Sequence, residues 1–181
     1  RREIADAAAA QMARLETYQS FGSFSNDRAL ALADRLVALG PVDDAKVILT
    51  SGGSDSVDVA AKLARRHWVE EGRPDKRHIL SRRDSYHGLH GYGTSLTGPD
   101  IYREGYGPGT LVPETAVFSS TDIDDLRRVI DEIGPERIAA VITEPVIGSG
   151  GVIAPPPGYF ETMQELVLPG ELLLIADEVI T

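Results

Sequence analysis

The stretch Leu172-Leu173-Leu174-Ile175-Ala176-Asp177-Glu178-Val179-Ile180-Thr181 restricts this chain more than any other. Its five consecutive apolar residues predict a strand buried on both faces, the kind that belongs to a parallel sheet covered by helices. The two carboxylates that follow then stand at the strand's carboxyl end, where open α/β sheets bind ligands. An ionised group in an apolar setting is costly unless it is paired, so Asp177 needs a cationic partner, either a metal ion or a protonated ring nitrogen.

The rest of the chain supplies a sheet for that strand. Helical and extended patterns alternate from residue 26 onward, which predicts an α/β fold of three layers, α/β/α, with a mostly parallel sheet. Ile4, Ala7, Ala8, Met12 and Leu15 recur at helical spacing, giving a first helix to about Tyr18, and Ser25 or Asn26 caps a second that Gly40-Pro41 ends. A helical part over 1–45 and an α/β core over 46–181 follow. Within the core, strands are expected at 46–50, 78–81, 116–118 and 138–143, and helices at about 55–70, 122–133 and 159–167, with Pro169-Gly170 leading into the last strand. Residues 82–115 show no helical pattern, and a loop of that length inside a compact domain is usually functional.

Several residue groups point to chemistry. Ser51-Gly52-Gly53-Ser54 lies between a strand and a helix start, the order an anion site needs: glycines admit the ligand and free amides at the helix N-terminus face it. Ser51, Ser54 and Ser56 offer hydroxyl donors, while the plainer alternative makes Ser54 an N-cap. Tyr86-His87-Gly88 stands close behind a strand end, so the tyrosine ring can lean over the same crevice. Glu144 ends a second buried strand, as Asp177 ends the last. His90 and the later tyrosines are read as loop packing, and Arg82 and Arg83 as solvated charges.

A formal net charge of −10 disfavours a nucleic-acid partner, and the absence of cysteine removes disulfides and thiolate metal sites. Nothing resembles a signal peptide or a spanning segment, so no membrane partner and a cytoplasmic location are expected. Both ends read as cut, because the chain opens inside a helical pattern and stops just after the strand. The expectation is a piece of a longer polypeptide.

Taken together, T-S-G-G-S-D-S-V-D with its K-L-A-R helix, S-Y-H-G, I-T-E-P-V-I-G-S-G-G-V, G-Y-F and L-L-I-A-D-E-V-I-T resemble the class III (omega) aminotransferases, pyridoxal 5′-phosphate enzymes of fold type I. The resemblance implies the large cofactor-binding domain of such an enzyme, incomplete here. It implies that Gly53 and Ser54 bind the cofactor phosphate, that Tyr86 stacks on the ring with His87 beside it, and that Asp177 pairs with the ring nitrogen. Val179 then lies against the other ring face, and Glu144 near the ring hydroxyl and substrate. Substrates would be an amine or amino acid and a keto acid or aldehyde, and the protein a homodimer. Asp55 departs from the family's usual Glu.

The lysine that holds the cofactor as a Schiff base in that family lies on a later strand. Lys46, Lys62 and Lys76 are poorly placed for it, so these residues alone are expected to be inactive. Rival expectations are an aminomutase of the same family, a non-catalytic binding protein on the same scaffold, and a Walker-B-type ATPase using Asp177 and Glu178. The last needs a G-x-x-x-x-G-K-[ST] loop, which the sequence lacks.

Overall fold

The computed structural model describes residues 1–167 and 171–181, so the expected Pro169-Gly170 turn lies outside the described residues. The chain divides into two compact units, Arg1–Leu49 and Thr50–Thr181. The first holds α1 (Arg2–Arg14) and α2 (Asp27–Leu39). Asn26 caps α2 by accepting from Ala29 N at 2.8 Å, and Gly40 closes it.

Two expectations fail in this unit. α1 stops at Arg14 rather than near Tyr18, with Leu15 already extended. Arg14 at that helix end pairs with Asp27 at the start of α2 (3.0 Å), a cation where the helix dipole favours one, whereas Thr17 and Tyr18 are weaker helix formers than the alanines before them. Residues 46–50 form no strand: they pair with no neighbour in the described sheet, and Ile48 and Leu49 stay exposed. An apolar run makes a strand only when a ladder partner is within reach.

The second unit is built on four parallel strands in the order β2-β1-β3-β4. They are β1 (His78–Arg82), β2 (Thr115–Phe118), β3 (Ile138–Thr143) and β4 (Leu173–Ala176). α3 (Gly53–Glu70) and α4 (Gly91–Leu96) cover one face, where Val57, Ala61, Trp68 and Leu96 meet Ile79, Ala140 and Ile142. α5 (Ile123–Ile133) and α6 (Tyr159–Val167) cover the other, where Leu126, Ile130 and Met163 meet Leu80, Phe118 and Val141. The three expected layers are therefore present, with every residue of β3 buried.

Between His78–Ile138 and Ile79–Ala140 the register slips by one residue, leaving Ala139 as a bulge. Its carbonyl is taken by Trp68 Nε1 at 2.8 Å, which ties α3 to the sheet and satisfies a buried acceptor.

Other boundaries moved for tertiary reasons. α3 begins at Gly53, two residues early, because extended Gly52 serves as N-cap and its carbonyl accepts Ser56 N. α4 occupies part of the loop read as helix-free: Asp58 of α3 accepts both Tyr92 N and Gly93 N at 3.1 Å, a cap supplied from 34 and 35 residues away. β4 is only half-buried, since it borders the described sheet with β3 as its one neighbour. No helix among the described residues is long and apolar enough to cross a membrane.

Candidate functional site

Parallel strands point their carboxyl ends the same way, so the segments leaving β1, β3 and β4 meet at one edge of the sheet. A cavity of about 210 Å³ lies there. Gly53 and Ser54 line it from the start of α3, Tyr86 and His87 from the segment after β1, Glu144 from the end of β3, and Asp177 and Val179 from the end of β4. These seven residues, assigned to the cofactor by the resemblance, thus reach one space. Gly88, read with Tyr86 and His87 as part of the crevice, also lines it, and Val57, Ser149 and Ile180 complete the lining without having been anticipated.

The α3 end of the cavity has the features of an anion site. Gly52 brings no capping side chain, so the first amides of an 18-residue helix stay available at its positive end. Of the three serines considered as donors, only Ser54 lines the cavity. Ser51 donates to Asp55, and Ser56 is engaged by Gly52 O and Thr50 Oγ1. Ser54 is no N-cap either: it sits inside α3 and accepts Leu89 N at 3.2 Å. Its neighbour across the gap, Gly88, has φ +96°, and a Cβ there would lie 2.9 Å from Ser54 Cα. Glycine is required at that approach.

Asp177 enters the same cavity from the end of β4, 8% exposed. Its amide continues the ladder by donating to Thr143 O (2.8 Å), which sets its position beside Glu144. Oδ2 lies 2.8 Å from His87 Nδ1, and Oδ1 accepts Val179 N at 3.2 Å. His87 is itself buried, its amide held by Thr97 Oγ1 at 2.9 Å, and its Nε2 has no partner among the described residues. An ionised carboxylate only accepts, so the hydrogen bond of this pair is donated by Nδ1. The pairing spans 90 residues of sequence, too far for any local pattern to reveal.

Glu144, 4% exposed, divides its carboxylate between Tyr86 N (Oε2, 3.0 Å) and Gly148 N (Oε1, 3.0 Å). It thereby fixes two walls of the cavity. The Tyr86 ring is backed by Tyr102, with centroids 5.2 Å apart and planes tilted by 57°. From the end of β4, a Val179 methyl comes within 3.1 Å of where a Gly53 Cβ would stand. Of the aromatics read as loop packing, Tyr92 accepts from Arg65 (2.8 Å) and half-exposed His90 meets Asp55 (3.2 Å), whereas Tyr106 stays exposed.

One expectation about charge is overturned. Arg83 is exposed, but Arg82 is fully buried: its guanidinium satisfies backbone carbonyls and stacks 4.9 Å over the Tyr159 ring, so water is not its partner. Among the described residues no lysine lines the cavity. Lys62 is exposed on α3, and Lys76, just before the amino end of β1, is buried with Nζ on Pro135 O at 2.6 Å.

A model of the class-III aminotransferases matches residues 2–181. This chain belongs to that family. Among curated relatives of this aminotransferase chain, the beta-alanine–pyruvate aminotransferase of Pseudomonas aeruginosa is 34% identical over all of the chain and 44% of its own length. A probable gamma-aminobutyrate transaminase 4 of Oryza sativa subsp. japonica is 36% identical over 98% of the chain and 40% of its own length. A solved transaminase from the marine bacterium Virgibacillus superposes with TM-score 0.92 at 37% identity, covering 97% of this chain and 41% of that one. An amine transaminase from an uncultivated Pseudomonas species, solved in its PLP-bound form, also reaches 0.92, at 36% identity over 99% of this chain and 44% of its own. The chain spans about two-fifths of the length of the relatives it matches.

Proposed function

We propose that this chain is part of a pyridoxal phosphate-dependent aminotransferase that moves an amino group from an amine or amino acid to a keto acid or aldehyde. The observation that carries the reading is that one cavity is lined both by a helix N-terminus without a side-chain cap and by a buried carboxylate. A molecule with a phosphate and a basic ring nitrogen fits that pair of groups. The family membership and the PLP-bound Pseudomonas relative support the same cofactor.

In this reading Gly53 N and Ser54 N hold the phosphate, and Asp177 keeps the ring nitrogen protonated through its anionic charge. Bound there, the cofactor supplies an electron sink for the substrate carbon that loses its proton. Tyr86 and Val179 would bound the cofactor's ring, and His87 would restrain Asp177 through its bond to Oδ2. Glu144 holds the Tyr86 amide and the Gly148 turn, a positioning task rather than proton transfer. The covalent anchor is assigned to a lysine other than Lys46, Lys62 and Lys76, so these 181 residues by themselves are expected not to turn over substrate. A cytoplasmic homodimer, with an amine or amino acid and a keto acid as its small-molecule partners, completes the proposal. Sedimentation of the full-length polypeptide checks its assembly state.

The test is absorbance of the full-length polypeptide with pyridoxal 5′-phosphate, before and after addition of candidate amines. A visible band that bleaches with an amine is expected. Asp177→Asn should lower turnover by roughly 10- to 100-fold, the equivalent of losing a charge-assisted interaction of ~1.5–3 kcal/mol. A polypeptide that takes up no cofactor, or an Asp177→Asn variant as active as the original, would overturn the proposal and favour a non-catalytic binding protein.

A further inference from the structure

We infer that Arg82 is a positioning residue for the cofactor cavity, acting through Glu144 on Tyr86. The inference rests on the pyridoxal phosphate reading above. A guanidinium with no exposure is costly unless its donors are met. Among the described residues Arg82 forms no ion pair at contact distance; its fork instead takes the carbonyls of two different strand ends. Nε and Nη2 donate to Ser120 O just beyond β2 (3.2 and 2.5 Å), and Nη1 donates to Glu144 O just beyond β3 (3.0 Å), with Thr143 Oγ1 at 3.5 Å. Arg82 itself ends β1, so one side chain joins the carboxyl ends of three adjacent strands at the edge where the cavity lies.

Two arms run from this joint into the segment 84–86. Glu144 has its carbonyl on Arg82 and its carboxylate on Tyr86 N and Gly148 N. Ser120 has its carbonyl on Arg82 and its hydroxyl on Asp84 N at 3.0 Å. Burial pulls the guanidinium's proton affinity down, Tyr159, Glu144 and Asp84 partly oppose that, and arginine remains a cation throughout. Lysine retains the charge but cannot satisfy both carbonyls with a planar fork.

The test is a double-substitution cycle in the full-length polypeptide: Arg82→Lys, Glu144→Gln and the pair, read by the dissociation constant for pyridoxal phosphate and by the induced circular dichroism of its visible band. Arg82→Lys should weaken binding by roughly tenfold and diminish the induced dichroism, as loss of one charged hydrogen bond implies. The pair should bind within about threefold of the weaker single variant, because both act on one linkage. Multiplying penalties, or an Arg82→Lys variant that binds with unchanged affinity and dichroism, would overturn the role of Arg82. If Arg82→Lys fails to accumulate folded, Tyr159→Leu, which removes the surface under the guanidinium, replaces it in the cycle with the same expected coupling. Failure of the unaltered protein to bind cofactor would instead sink the underlying reading.

Discussion

Replacing Gly88 by alanine tests whether the anion end and the ring-stacking wall are one mechanical unit. Gly88 has φ +96°, a region costing an L-residue about 1–2 kcal/mol. The new Cβ would sit 2.9 Å from Ser54 Cα and closer still to Ser54 Oγ. Ser54 cannot retreat, because α3 is anchored in the core by Val57, Ala61, Ala64 and Trp68. Overpacking against fixed backbone adds about 1–3 kcal/mol, for a total of ~2–5 kcal/mol. The segment after Tyr86 must lift instead, breaking the Leu89 N bond to Ser54 and drawing His87 from Asp177. If even ~2 kcal/mol falls on binding, cofactor affinity drops about 30-fold.

The assay is a spectrophotometric titration of the full-length polypeptide, with urea denaturation in parallel. Gly107→Ala is the control, since Gly107 has φ +99° but nothing within 4 Å of its added Cβ, so it carries strain without crowding. Gly88→Ala is expected to lose far more affinity than Gly107→Ala. Equal effects, or a Gly88→Ala variant with both affinity and urea midpoint unchanged, would refute the argument.

Two further expectations concern stability. Burial pushes the Tyr159 phenol from 10.0 up to about 12, so the un-ionised ring's contribution is intact below pH 10 and lost as pH rises from 10 to about 12. Tyr159→Phe should be less stable near neutrality by about 1 kcal/mol for want of its bond to Ser119 O, and the order should reverse as pH rises across that window in paired urea titrations. A constant difference would contradict the burial argument. Trp68→Phe orphans the bulged Ala139 carbonyl and leaves a small void, predicting a loss of ~2–4 kcal/mol by urea denaturation; under ~0.5 kcal/mol would show the bond to be dispensable.

Much of the fold was readable because it is encoded locally. α5 begins at an Asp122 cap and stops at Gly134, as its own residues direct, and β3 is apolar up to its final Thr143 because it is buried throughout. The site candidates were readable for a related reason: in a parallel sheet, the residue after an apolar run is delivered to the ligand edge, so Glu144 and Asp177 identify themselves. Arg82 did not, although it ends a strand in the same way. A charged residue reads as solvated until the carbonyls that receive it, 38 and 62 residues away, are in place.

The sequence by itself determined the parallel α/β layering, the glycine turn before α3 and the two strand-end carboxylates, because periodicity, caps and φ preferences act within a few residues. Tertiary structure alone decided that residues 46–50 join no strand ladder among the described residues, that α4 forms under an Asp58 cap, that His87 grips Asp177, and that Arg82 goes inside. Each of those outcomes depends on a hydrogen-bond partner distant in the chain, and only folding settles whether that partner arrives.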